Sequence, residues 1–163
     1  MLFQSYAKNF GLYGQRAGTL SVVCSNSKEK EVVLSRFKQL ARMLWSNPPV
    51  HGARIVDTVL SDSGLTQEWH DELKVMSTRM NQMRTGLEQG LKSRGSPHNW
   101  NHIVDQIGMF AFTGLNKDMV DKLRTDYAIY LTADGRISIA GLNSGNLEYV
   151  TDAFHAVTKD AKF

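Results

Sequence analysis

Leu65, Trp69, Leu73, Met76, Met80, Met83, Leu87 and Leu91 recur at steps of three and four residues within a chain of 163. That spacing sets all eight on one side of an α-helix of about seven turns. The intervening face is polar and charged, and Gly95 and Pro97 close the run. One amphipathic helix bridging residues 65–94 is predicted, its methionines packed as core rather than lining a cofactor groove. In so short a chain, a helix of this length joins two lobes more readily than it sits inside one.

The flanking segments read as mixed helix and strand. Leu2 to Tyr6 and Thr19 to Cys24 are short β-branched or aromatic runs around a loop holding Gly11, Gly14 and Gly18. Asn26 with Glu29 three residues on forms a capping-box signal for a helix that sets Val33, Phe37, Leu40 and Leu44 on one stripe. Asn47-Pro48-Pro49 ends it, because a residue before proline is pushed out of helical geometry. A short helix through Ile55, Val59 and Leu60 runs to Asp62-Ser63-Gly64. Beyond the long helix come a strand (Ile107 to Phe112), a helix (Lys117 to Asp126) and a strand (Ala128 to Leu131). An Asp134-Gly135 hairpin turn then leads into Arg136 to Ala140, and a last helix carries Leu147, Val150, Phe154 and Val157.

Several function classes drop out early. The net charge is +3, but Lys and Arg alternate with acids, as in Lys28-Glu29-Lys30-Glu31, so no basic stripe for nucleic acid forms. Apolar runs are too short to span a membrane, which points to a soluble, intracellular chain. One cysteine, Cys24, permits no internal disulfide and no thiol-rich metal site. His98 and His102 have an i, i+4 spacing, but Asn-Trp-Asn lies between them and no carboxylate, so no metal site is expected.

The chemistry-bearing stretch is Ser5-Tyr6-Ala7-Lys8-Asn9-Phe10-Gly11-Leu12-Tyr13-Gly14-Gln15-Arg16-Ala17-Gly18. A strand end delivers a hydroxyl and an amine, and a glycine-bearing loop returns an arginine towards them. Hydroxyl and guanidinium together suit a phosphate. The amine between them suits a phosphorylated aldehyde, although on pattern alone a solvated surface lysine fits as well.

This stretch resembles the cofactor-lysine motif of the pyridoxal-phosphate-dependent aminotransferases, specifically the aspartate aminotransferases. Trp45-Ser46-Asn47-Pro48-Pro49 with Gly52-Ala53-Arg54, Asp105-Gln106-Ile107-Gly108-Met109-Phe110, and Asp134-Gly135-Arg136 through Gly141-Leu142 resemble the same family, in its order. Gln15 stands where the family has Glu before the arginine, which bears on a local ion pair and not on the chemistry. The resemblance implies an α/β pyridoxal-phosphate-dependent transferase fold: the C-terminal part of the cofactor-binding large domain (1–75) and a small α+β domain (76–163), joined by the long helix. It implies that Lys8 carries pyridoxal 5'-phosphate and acts catalytically, and that Ser5 and Arg16 bind its phosphate. Arg136 would clamp the substrate α-carboxylate, and Arg42 the side-chain carboxylate from across a homodimer. Ser46 and Asn47 would lie near that crossing loop, and Phe110 near the substrate pocket. On residues alone, Arg42 reads as an ordinary helix-surface arginine.

The implied reaction is ping-pong transamination between dicarboxylic amino acids and oxo acids, aspartate with oxoglutarate. In that family the lysine lies well past mid-chain, after an Asp that faces the pyridine nitrogen, and here it is residue 8. The chain is therefore expected to be a C-terminal portion without appreciable activity alone. The alternative is a non-catalytic module docking onto full-length subunits through the Arg42 to Asn47 face. His98-Asn99-Trp100 and the Asp-Gly-Arg-Ile-Ser hairpin resemble mitochondrial members, implying the matrix, with the cytoplasm as the alternative.

Overall fold

A computed structural model describes residues 1–160 and divides the chain into two compact units, Met1–Leu73 and Lys74–Phe163. In the first, strands β1 (Leu2–Ser5) and β2 (Gly18–Ser21) pair antiparallel in the register Phe3↔Leu20 and Ser5↔Gly18. Helix α1 (Ser27–Trp45) starts where expected: the Asn26 side chain accepts from the Glu29 N–H at 2.9 Å. The Glu29 carboxylate turns back to the Ser25 N–H at 2.6 Å, one residue before the position a capping box uses. Helix α2 (His51–Ser61) follows the two prolines, and α3 (Ser63–Ser93) begins at once.

The apolar stripe of α1 is largely uncovered. Val33 and Phe37 are half-buried, but Leu40 and Leu44 are 47% and 68% exposed, and no residue of the helix is buried. Buried apolar residues in this unit are Ala7, Leu12 and Val56. Gly52 brings α2 against the loop between the strands: a Cβ there would lie 2.7 Å from that of Gln15.

The second unit holds the larger core. The long helix exists as one 31-residue element, and this core takes only the later part of its stripe. Leu65 and Met76 are exposed, Met80 and Met83 pack partly, and Leu87 and Leu91 are fully buried. Around them stand α4 (Asn101–Asp105), β3 (Phe110–Phe112), α5 (Lys117–Tyr127), β4 (Arg136–Ser138) and α6 (Leu147–Thr158). Ile103, Leu123, Ile139 and Phe154 complete a contiguous apolar cluster. Helix α6 lies close on α3, since a Cβ on Gly90 would meet the Thr151 Cγ2 at 2.8 Å. Gly90→Val is therefore expected to destabilise this unit by about 1–3 kcal/mol, measured as a lower midpoint in urea. An unchanged midpoint would refute that packing.

Two strand expectations need correction. Ala128 to Leu131 form no strand: Ala128 takes a left-handed conformation (φ 51°) that caps α5, and the Ile129 N–H reaches back to Leu123 O at 2.9 Å. The strand after the Asp134-Gly135 turn pairs instead with β3, through Ala111↔Ile137 and Phe112↔Arg136. That strand is also shorter than predicted. It ends at Ser138, where a 3-10 turn (Ile139–Gly141) begins. Among the described residues no helix is long and apolar enough to cross a membrane.

Candidate functional site

In the first unit, Ser5, Lys8 and Arg16 are carried by β1 and the loop that returns to β2. The loop is fastened by its backbone: Phe10 and Leu12 N–H groups both donate to Tyr6 O, and Gly11 N–H donates to Lys8 O at 3.1 Å. Ala7 and Leu12 are its buried anchors. The Lys8 side chain is exposed, with Nζ 4.4 Å above the Tyr13 ring, a cation–π contact. Ser5 Oγ accepts the Ala7 N–H at 3.2 Å. Arg16 takes a left-handed conformation (φ 52°) and donates from Nη1 to Tyr13 O at 3.2 Å. A non-glycine residue held there costs about 1–2 kcal/mol, the kind of strain that clusters at functional sites. Ser5 and Arg16 border one cleft of about 390 Å³, together with Phe3, Gln4 and Thr19. Arg16 also borders a second cleft, of about 740 Å³, towards Trp45, Pro48 and Arg54.

Arg42 sits exposed in the last turn of α1, where a cation complements the helix dipole. Its carbonyl accepts the Ser46 N–H at 3.1 Å. Ser46 itself has φ 61° and ψ −72°, and Asn47 N–H donates to Trp45 O at 2.6 Å. This is the rare, strained form of γ-turn.

The second unit places Arg136 on β4 with its guanidinium carbon 4.9 Å above the Phe110 ring, which β3 supplies. The turn before it is tied by Asp134, whose carboxylate accepts from the Thr132 hydroxyl and from the Arg136 N–H at 3.3 Å. Those bonds hold Asp134 below the usual carboxylate range. Any stability they give is present above the carboxylate's unfolded-state pKa and is lost as pH falls into acid.

Two residues with structural weight near these groups were not marked as such by their sequence pattern. Arg84, on α3, is 1% exposed and donates to Ile103 O at 2.6 Å, Gly108 O at 2.8 Å and Phe110 O at 2.7 Å. Burial lowers its pKa from the ordinary value, yet a guanidinium remains charged. A signal was available: position 84 lies four after Met80 and three before Leu87, on the buried side of the helix. Trp69 belongs to the apolar stripe, and its indole N–H also donates to Asn9 O at 2.9 Å. Among the described residues, no three of His, Cys, Asp and Glu gather as metal ligands. His98 and His102 instead contact backbone carbonyls, of Thr158 at 2.9 Å and Thr113 at 3.1 Å.

Comparison with known proteins gives this geometry a context. The family described as aminotransferase class I and II matches residues 1–154. The mitochondrial aspartate aminotransferase of Arabidopsis thaliana is 51% identical over 158 residues, which is 97% of this chain and 37% of the relative. A mitochondrial aspartate aminotransferase from Trypanosoma brucei superposes with a TM-score of 0.90 at 46% identity, covering 96% of this chain and 41% of that one. An aromatic-amino-acid aminotransferase from Burkholderia pseudomallei, covalently bound to pyridoxal phosphate, superposes at 0.91 with 41% identity over 96% of this chain and 39% of that one. This chain thus spans well under half the length of these relatives. With the family match running through nearly all of it, the chain belongs to the class I and II aminotransferases.

Proposed function

We propose that these residues form the lysine-bearing portion of an aspartate aminotransferase. In this reading Met1–Leu73 is the end of the cofactor-binding domain, residues 74–163 belong to the small domain, and α3 joins them. The observation that supports the proposal is that β1 and the loop returning to β2 carry a hydroxyl, an amine and a guanidinium within twelve residues, with Ser5 and Arg16 bordering one cleft. That donor set fits pyridoxal 5'-phosphate: the Ser5 hydroxyl and Arg16 guanidinium border a single cleft suited to a phosphate dianion, and Lys8 supplies the amine. When bound, the cofactor supplies an electron sink for the pair released as the substrate α-C–H bond breaks.

The remaining work falls to side chains of this chain. Lys8 Nζ would hold the cofactor and, as a free amine, would take the substrate α-proton as general base. Arg136 binds the α-carboxylate with a two-pronged guanidinium pair, its plane set by the Phe110 ring beneath it. Arg42, reaching a partner subunit's site beside Ser46 and Asn47, takes the second carboxylate in a homodimer. Two arginines for two carboxylates select dicarboxylic amino acids and oxo acids, because a carboxylate in a dry pocket needs a partner. The mitochondrial names of the Arabidopsis and Trypanosoma relatives support a mitochondrial location.

The test is a graft of this chain in place of the matching segment of the Arabidopsis relative. Aspartate-to-oxoglutarate turnover by the graft, and none by the 163-residue polypeptide alone, is the expected result; a dead but folded graft would refute the reading. In the graft, Arg136→Lys should lower kcat/KM for aspartate about 10–100-fold, since lysine offers one point charge where a fork was used. A second reading rests on the α1 end, where Met43, Leu44 and Trp45 are 74%, 68% and 56% exposed beside Arg42. A non-catalytic module docking by that face would co-elute with full-length subunits, and Leu44→Glu would release it.

A further inference from the structure

Resting on the reading of Lys8 as the cofactor lysine, we infer that the Trp69 indole N–H is a positioning group for Lys8. The backbone at a lysine sets where its flexible four-carbon stem begins and which way the Cα–Cβ bond points, so whatever fixes the turn around residues 7–10 fixes the origin from which the amine reaches. Trp69 Nε1 donates to Asn9 O at 2.9 Å, one residue beyond Lys8 and sixty residues away in sequence. The same indole stacks on Phe10, with centroids 4.6 Å apart and planes at 23°, and Phe10 meets the Tyr6 ring edge-on at 5.2 Å. Tyr6, Phe10 and Trp69 thus form one chain of rings on the turn that carries Lys8, and the hydrogen bond is its directional part. The Asn9 side-chain oxygen is buried without a hydrogen-bond partner among the described residues, so this carbonyl contact is what ties Asn9 to the helix.

The probe is pyridoxal 5'-phosphate itself, added to the 163-residue chain. The Lys8 nitrogen adds to its aldehyde carbon and one water leaves. Borohydride then gives hydride to carbon and solvent gives the proton to nitrogen, leaving a secondary amine that mass analysis maps. Trp69→Phe keeps the stack and loses the donor. It should slow labelling of Lys8 about fivefold against Lys28 and Lys30 in the same molecule and shift the absorbance band of the Lys8 adduct before reduction. Phe10→Leu keeps the donor and should change the rate less than about twofold. Wild-type rate and band in Trp69→Phe overturn the inference, as does equal slowing in Phe10→Leu. Labelling that never favours Lys8 in the unmodified chain overturns the reading of Lys8 and this inference with it. Should Trp69→Phe lose its far-ultraviolet dichroism, proton exchange in the unmodified chain decides. The Trp69 indole N–H should exchange at least about tenfold more slowly than that of exposed Trp45, and equal rates overturn the inference.

Discussion

Arg84→Met is expected to lower the stability of the second unit by about 3–5 kcal/mol. The side chain is 1% exposed, and its guanidinium serves the carbonyls of Ile103, Gly108 and Phe110. The buried Ile103 carbonyl left unpaired costs about 1–3 kcal/mol, and the part-buried carbonyls of Gly108 and Phe110 cost less each, because water can reach them. Replacing a buried ion by an apolar residue is often harmless where its partners are replaced as well. Here the partners are main-chain oxygens, which no substitution removes. Methionine regains some apolar contact, which is why the estimate stays at the lower end of the summed cost. For a unit of this size the loss corresponds to a fall in Tm of roughly 15 °C or more. Arg84→Lys should recover only part of it, because one ammonium cannot span three acceptors that the planar fork reaches. Loss should also appear locally, since Phe110 is both an acceptor for Arg84 and the ring beneath Arg136. A methionine variant within about 1 kcal/mol of the parent in urea unfolding would show that these three bonds are not holding the β3 approach.

What the sequence disclosed and what it hid divide along physical lines. Helix α1 began at Asn26 because a short polar side chain can satisfy a local N–H, and that bond needs only three residues of context. The Asp134-Gly135 turn was legible for the same reason, but the strand it serves was not. Pairing is a long-range choice, and β3 won it from Ala128–Leu131 because Ala128 turned left-handed to close α5. Periodicity showed which side of α1 is apolar; it cannot show whether anything in the same chain covers that side, and Leu40 and Leu44 remain exposed. Arg84 stands apart from the apolar stripe by composition, since a guanidinium is ordinarily solvent-seeking. Only its phase relative to Met80 and Leu87 argued otherwise. The Ser5–Lys8–Arg16 turn was readable because its members lie within twelve consecutive residues, whereas the Trp69 contact to Asn9 spans sixty.

Lys8→Ala and Lys8→Arg should be equally inactive, and this equality carries more information than either loss. Lys8 contacts the Tyr13 ring as a cation, at 4.4 Å, and an arginine can keep that contact. If the residue served only as a positive charge near a phosphate, Lys8→Arg would retain most of its effect. The proposed role needs a nitrogen that is neutral part of the time, first to bond carbon and then to accept a proton from the substrate α-carbon. A guanidinium cannot give up its proton in a protein, so it can do neither. In the graft described above, the missing proton transfer alone is worth about 10²–10⁴-fold in kcat, with loss of covalent attachment added to it. Both variants should fold, because the Lys8 side chain is exposed and its backbone bond to Gly11 does not depend on the side chain. Borohydride trapping should find no label at position 8 in either. Small primary amines in the buffer should restore measurable turnover to Lys8→Ala, where the space is open, and little to Lys8→Arg, where the guanidinium fills it. Comparable activity in Lys8→Arg and the unmodified graft would assign the catalytic amine elsewhere and leave Lys8 as a simple charge.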